Sequence, residues 1–255
     1  KVYSTELEKK SQELARTALQ LRDANTKLTQ LSVQKDAFLS QISHELRTPM
    51  SSIRAFSEIL RGVEVLSPQE QVRYASIIQE ETIRLTRLLD DLLDLSVLEN
   101  GQVSLNVSTG SLRDLLDHSV AMARVGRDAA VMQIQRNVAD ERIWLCTDLD
   151  RLNQVFLNLI VNAHKYCDAA EPKLQIIVRQ SAQQLTIDFI DNGSGISNED
   201  QNLIFEKFSR IGGHESGGAG LGLAISREIL QRLQGDITYL PGQNGAAFRI
   251  RLPES

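Results

Sequence analysis

The stretch 38-FLSQISHELRTPMSSIR-54 decides how the first third of the chain is built. Its apolar residues continue a longer row. Leu7, Leu14, Leu21 and Leu28 recur every seven residues, and the same phase runs on through Ile42, Pro49 and Phe56. With that row as heptad position d, position a holds Ser11, Ala18, Asn25, Ser32, Leu39, Leu46, Ile53 and Leu60. Such a sustained repeat predicts one coiled-coil helix over residues 7–60. Its first half is weak, with Lys35 at d and Asn25 at a, a buried polar choice that fixes register at a cost in stability. That half reads either as a plain dimerising stalk or as a marginal helix whose register can shift and pass a signal onward.

The whole chain has 255 residues, 42% hydrophobic and 24% charged, with a formal net charge of −5. That composition suits two modest domains with cores of their own. The acidity is mild and dispersed, and no stretch mixes arginines with aromatics, so no nucleic-acid partner is expected. Cys146 and Cys167 are too far apart for a CxxC motif, and so few cysteines predict a reducing, cytoplasmic setting. No apolar run approaches the ~20 residues of a membrane span. The first residue is Lys1, so a membrane is expected only through segments absent from this chain.

Residues 62–68 break the heptad pattern. Ser67-Pro68-Gln69-Glu70 then reads as a helix start, with Ser67 as N-cap, Pro68 at the first position and Glu70 completing a capping box. The second helix puts Ile78, Leu85, Leu88, Leu92 and Leu95 on one face and ends near Asn100-Gly101. Two long helices and a short loop make an antiparallel hairpin, and two hairpins would bury their faces as a dimeric four-helix bundle. After Gly101 the texture changes. The runs 103-VSLNV-107, 174-LQIIV-178 and 185-LTIDFI-190 read as strands, and 112–124, 149–166 and 221–233 as helices. That mixture predicts an α/β layer structure with helices on a mostly antiparallel sheet. The expected divisions are a coiled-coil signalling helix at 1–35, the helical hairpin at 36–100 and an α/β domain at 101–255.

In the heptad register His44 takes position f, pointing away from the seam. Glu45 is adjacent and Thr48 lies one turn on, so the three polar groups share a small region of surface. A neutral imidazole is a competent nucleophile, and a neighbouring carboxylate can orient it and accept its proton. Pro49 has no N–H for the carbonyl of Glu45, so a bend is expected just after the cluster. The segment 43-SHELRTP-49 resembles the H-box of sensor histidine kinases. The resemblance implies that His44 is the phosphoacceptor, Glu45 its general base, and Thr48 the residue that positions water when the enzyme runs as a phosphatase. The second helix, 89-LDDLLDLSVLENG-101, is similar to the second hairpin helix of that family.

A phosphoacceptor needs a donor. No GxxxxGK[ST] is present, and GxGxxG fails after Gly218, Gly220 and Gly222, so neither a P-loop nor a Rossmann fingerprint applies. Asn158, Asn162 and Lys165 lie at i, i+4 and i+7 on one helix face; Asn162 offers an amide oxygen suited to Mg²⁺, and Asn158 and Lys165 could reach phosphates. The run 185–190 ends in Asp191-Asn192-Gly193-Ser194-Gly195, where a fixed carboxylate can accept from an adenine amino group and glycines admit a ligand to the backbone. In 217-GGAGLGLAIS-226 a glycine loop runs into a helix whose first N–H groups form an anion site.

These segments resemble, in order, the N-box, G1 box and G2 box of the ATP-binding domain that histidine kinases share with Hsp90, gyrase and MutL proteins, and 205-FEKFSR-210 resembles the F-box. The resemblance implies a Bergerat-type α/β sandwich that binds ATP with Mg²⁺. The implied nucleotide residues are Asn158, Asn162, Lys165, Tyr166, Asp191, Gly193, Gly195, Arg210, Gly218, Gly220, Leu221, Gly222 and Leu223, with Asn162 on the metal and residues 207–219 as a lid. Three positions depart from the family pattern: Ala219 where Thr is common, Cys167 where Ser or Thr follows Lys165-Tyr166, and Gln234 before Gly235 where paired glycines are common. The implied protein is a homodimeric, ATP-dependent histidine kinase, the cytoplasmic part of a longer, membrane-bound sensor. It would pass its phosphoryl group to an aspartate on a response regulator receiver domain. A phosphatase-dominant enzyme or a non-catalytic dimeric scaffold of the same fold is the alternative.

Overall fold

The computed structural model describes residues 2–62, 66–99, 105–124, 132–138, 143–181, 184–209 and 219–253. Contacts divide the chain into two compact units, Lys1–Glu81 and Thr82–Ser255.

In the first unit the heptad row lies on one helix, α1 (Val2–Arg61), 60 residues long and about 90 Å from end to end. Pro49 sits inside it and the helix continues as one element. Three d-position leucines of the first half are bare in the single chain: Leu14, Leu21 and Leu28 are 76%, 72% and 65% exposed. Toward the second half the same row turns inward. Pro49 is buried, and Phe56 stacks on Tyr74 with ring centroids 5.4 Å apart. Tyr74 belongs to α2 (Pro68–Glu99), which opens on the expected capping box. The Ser67 N–H and hydroxyl donate to Glu70 Oε2 at 2.8 and 2.7 Å, and the Glu70 N–H donates to Ser67 Oγ at 3.3 Å.

The last turns of α2 belong by contact to the second unit. Leu95 and Leu98 are wholly buried there. Asp94 accepts from Arg151 Nη1 at 3.0 Å and from Gln154 Nε2 at 2.8 Å, and Arg232 donates to the Leu98 carbonyl.

The second unit continues with β1 (Ser108–Ser111), α3 (Leu112–Arg124), β2 (Gln133–Val138), β3 (Trp144–Thr147), α4 (Leu149–Tyr166), β4 (Lys173–Ser181), β5 (Gln184–Asp191), α5 (Gly222–Arg232), β6 (Asp236–Tyr239) and β7 (Ala247–Pro253). Strands β1 and β3 pair by themselves; the other five form a sheet in the order β2-β4-β5-β7-β6, antiparallel except for β2 and β4. The expected strand at 103–107 is corrected. Residues 103–104 lie outside the described residues, and 105–107 are irregular because the Asn106 N–H is taken by Asp148 Oδ2 at 2.9 Å rather than by a ladder. The other expected strands and helices match β4, β5, α3, α4 and α5, with Leu221 and Leu233 of the expected 221–233 helix as the caps of α5.

Register places the core on one sheet face. Ile176, Phe189 and Phe248 align across β4, β5 and β7, as do Val178, Ile187, Ile250 and Ile237 with β6 added. Against this face α4 sets Leu152, Val155, Phe156, Leu159 and Ile160, a stripe at 3.6-residue spacing, with Phe156 5.6 Å from Phe189. Helices α3 and α5 add Leu116, Val120, Ile225 and Ile229. On the opposite face Asp188 is buried between Arg179 and Arg249, at 2.6 and 2.7 Å. Burial pushes its carboxyl up, but Arg249 and Arg179 outweigh that and hold it below the usual carboxylate range. The core row of β4 and β5 ends at the pair Leu174 and Asp191. The register thus brings a carboxylate to the end of an apolar row.

Candidate functional site

On α1, His44 and Thr48 are exposed while Glu45 is 8% exposed. Adjacent helical residues point about 100° apart, so an outward His44 sends Glu45 inward. The imidazole of His44 bonds to no described residue, and Thr48 Oγ1 donates to the His44 carbonyl at 3.3 Å. The structure therefore brings Thr48 beside His44 and leaves the Glu45 carboxylate off the ring.

Helix α4 carries the polar stripe. It starts cleanly because Asp148 accepts the Arg151 N–H at 3.1 Å. Asn158 is committed to α5: its Nδ2 donates to Ser226 Oγ at 2.9 Å, and a Cβ on Gly222 would lie 2.3 Å from its Oδ1. Asn162, half-buried one turn on, bonds to no described residue. Lys165 Nζ donates to the Tyr166 hydroxyl at 2.9 Å and lies 4.7 Å from that ring's centre. Among the described residues no group of three or more His, Cys, Asp or Glu is placed to hold a metal.

Asp191 ends β5 in a tight cradle. Its Oδ1 accepts from the Gly193 and Ala246 N–H groups, each at 2.9 Å, and among the described residues no donor reaches Oδ2. Burial pushes this carboxyl up from the ordinary range, the two N–H bonds oppose it, and the charge of Asp168 adds to the push. Gly195 has φ +78° and Gly245 φ +146°. A Cβ at Gly245 would stand 2.0 Å from the Asp191 carbonyl oxygen, so only glycine lets this turn close. Gly245 and Ala246 were not singled out from the sequence. Their only signal there is the glycine-rich 241-PGQNGAAF-248, which reads as an ordinary hairpin turn.

The glycine loop joins the site at Gly220, whose φ is +69° and whose carbonyl accepts the Phe208 N–H at 2.9 Å. Phe208 itself has φ +62°. This pair clasps the two ends of the segment expected to act as a lid. Arg210 and Gly218, with Gly212, Gly213, His214 and Gly217, lie outside the described residues. Gly222 opens α5 as expected, followed by half-buried Leu223. Leu221 is fully buried, so its side chain serves the core and only its backbone could face a ligand. A separate cleft of about 250 Å³ lies between Gln201, Asn202, Phe205, Arg227, Thr238 and Tyr239, of which the sequence motifs include only Phe205, the first residue of 205-FEKFSR-210.

Two family models match. "His Kinase A (phospho-acceptor) domain" matches residues 34–101, and "Histidine kinase-, DNA gyrase B-, and HSP90-like ATPase" matches residues 147–255. The sensor protein kinase WalK of Staphylococcus saprophyticus is 32% identical over 239 residues, covering 89% of this chain and 38% of that protein. WalK of Staphylococcus aureus is 32% identical over 243 residues, covering 89% of this chain and 56% of that protein. The chain therefore spans only part of the length of these relatives. Among solved structures, the Acinetobacter baumannii histidine kinase AdeS is 26% identical with a TM-score of 0.66, covering 83% of this chain and 98% of that one. The histidine kinase ThkA, solved in complex with the response regulator protein TrrA, is 21% identical with a TM-score of 0.69, covering 86% of this chain and 61% of that one, and shares the fold. Among the described residues no helix is long and apolar enough to cross a membrane.

Proposed function

Since the chain belongs to the sensor histidine kinases of two-component systems, we propose that it phosphorylates its own His44 from ATP and passes the phosphoryl group to an aspartate of a response regulator. The observation that carries this reading is the state of His44: exposed, free of bonds to described residues, and within 43-SHELRTP-49. The second unit fits a nucleotide. Asp191 keeps Oδ2 clear of described donors while two backbone N–H groups fix Oδ1, which suits it to accept from the amino group of adenine. Gly193, Gly195 and Gly245 let the backbone close tightly around that carboxylate. Asn162 would hold Mg²⁺ through its amide oxygen, and Lys165 with the α5 N-terminus would face the phosphates. Bound Mg–ATP supplies an activated phosphoryl group.

His44 offers the lone pair of a neutral ring nitrogen, and Glu45 takes the proton from the other nitrogen as charge builds on the ring. Glu45 is buried in the structure, so that pairing belongs to the reacting state. Thr48, one turn on, is placed to hold water for the reverse, phosphatase direction. The bare d-position leucines of α1 support a homodimer through the coiled coil. The chain would work on the cytoplasmic side, where ATP and a receiver domain are at hand.

The test is labelling with γ-labelled ATP and Mg²⁺, beside His44→Gln. Acid-labile, alkali-stable label on the protein and none on the variant is the expected result. Label that persists in the variant removes His44 as acceptor. Unlabelled wild-type protein that still binds ATP favours the phosphatase or scaffold reading.

A further inference from the structure

Asp168 follows the end of α4 and is exposed, yet its Oδ1 accepts the Ser194 N–H at 2.7 Å. The same oxygen would be 3.0 Å from a Cβ on Gly193, with Cys167 Cα at 3.1 Å, so the turn after Asp191 lies directly on the 167–168 segment. Gly193 is the residue whose N–H holds Asp191 Oδ1. Asn192, between them, is fastened on the same side: its Oδ1 accepts the Lys173 N–H at 2.7 Å and the Cys167 thiol at 3.4 Å, and its Nδ2 donates to the Glu171 carbonyl at 2.9 Å. A short path of bonds therefore runs from the end of the helix bearing Asn162 and Lys165 to the carboxylate of Asp191.

We propose that Asp168 is a positioning residue for nucleotide recognition: it clamps the 193–194 turn to the end of α4 and so sets Asp191 relative to Asn162 and Lys165. The inference rests on the assignment of Asp191 and α4 to the nucleotide made above. The Ser194 bonds hold the Asp168 carboxyl below its ordinary range, as a working clamp requires. A free turn would let the two halves of the site drift, and recognition that needs both halves at once would weaken. An ordinary exposed turn aspartate would have no such effect.

The experiment uses the full chain, with Mg–ATP binding by equilibrium dialysis, autophosphorylation kinetics and thermal melting. Asp168→Ala removes the acceptor and should raise both Kd and KM for ATP by about tenfold, the scale of one lost hydrogen bond. The rate at saturating ATP should fall much less, and the melting temperature should hold. Asp168→Asn keeps an amide oxygen for the Ser194 N–H and should restore affinity to within about threefold of wild type. Unchanged affinity in Asp168→Ala overturns the proposal, as does an affinity loss matched by a fall in melting temperature. An Asn variant as weak as the Ala variant overturns the hydrogen-bond role. Asp191→Asn, run alongside, tests the underlying assignment: if it binds ATP normally, that reading fails, whatever Asp168 does.

Discussion

Gly245→Ala should damage the second unit far more than Gly242→Ala, although both glycines have positive φ, +146° and +78°. At Gly242 an added Cβ meets nothing within 4 Å, so the cost is conformational alone, about 1 kcal/mol. At Gly245 the Cβ falls 2.0 Å from the Asp191 carbonyl oxygen and 2.8 Å from its Oδ1. Backbone atoms cannot be that close, so the turn must retreat by roughly an ångström, an overpacking cost of about 1–3 kcal/mol. That retreat also pulls on two bonds, Ala246 N–H to Asp191 Oδ1 at 2.9 Å and Asp191 N–H to the Ala246 carbonyl at 3.0 Å. Together these give about 3 kcal/mol for Gly245→Ala, or a fall in melting temperature of roughly 6–12 °C, against about 2–4 °C for Gly242→Ala. Nucleotide affinity separates the two further, because only Gly245 touches Asp191: at least about tenfold weaker binding against about twofold or less. Thermal melting and Mg–ATP titration of both variants are the assays. Equal losses in the two variants would refute the reasoning, since they would show that φ, not contact with Asp191, sets the cost.

Asp91, near the end of α2, is pushed up to about 6 by burial, with Asp94 and Asp90 adding and Arg87 opposing. The folded chain thus holds this proton more tightly than the unfolded one, so the associated stability is full below about pH 4 and lost as pH rises through 6. Allowing for partial exposure, Asp91→Asn should stabilise the unit by about 1–2 kcal/mol at pH 7 and by little at pH 4, and equal effects at both pH values would contradict this. Ser67→Ala removes two of the three capping-box bonds of α2 and should cost about 1 kcal/mol in urea unfolding. Glu70→Ala shares only the hydroxyl–carboxylate bond with it and also removes the Ser67 N–H bond, so the double variant should lose more than either single but less than their sum. Helix α5 ends in a Schellman arrangement, Gly235 N–H to the Leu230 carbonyl at 2.7 Å and Gln234 N–H to that of Gln231 at 3.1 Å, with Gln234 at φ +59°. Gln234→Gly relieves that strain and should raise stability by about 0.5–1 kcal/mol; a loss would show that the glutamine side chain contributes more than the backbone pays.

Local pattern alone determined much of this protein. The seven-residue row named α1, Ser67-Pro68-Gln69-Glu70 named the start of α2, and the helical run 149–166 named α4, because each feature depends on residues within a turn or two. The outward placement of His44 follows from the same periodicity. The expectation that Asp191, Asn162 and the glycine loop form a nucleotide site rests on residue type and order, which are local. What surrounds them was not. Gly245 and Ala246 reach Asp191 from 54 and 55 positions downstream, and Asp168 reaches Ser194 across 26. Leu221, a glycine-loop residue by position, proved to be core. Residues 105–107 alternate like a strand, yet Asn106 spends its N–H on Asp148, 42 positions away. Periodicity reports which face of an element is apolar. Only the closing of β5 on β7, and of the 193–194 turn on α4, decides which backbone groups hold the carboxylate, because those bonds join segments whose separation along the chain carries no local signal.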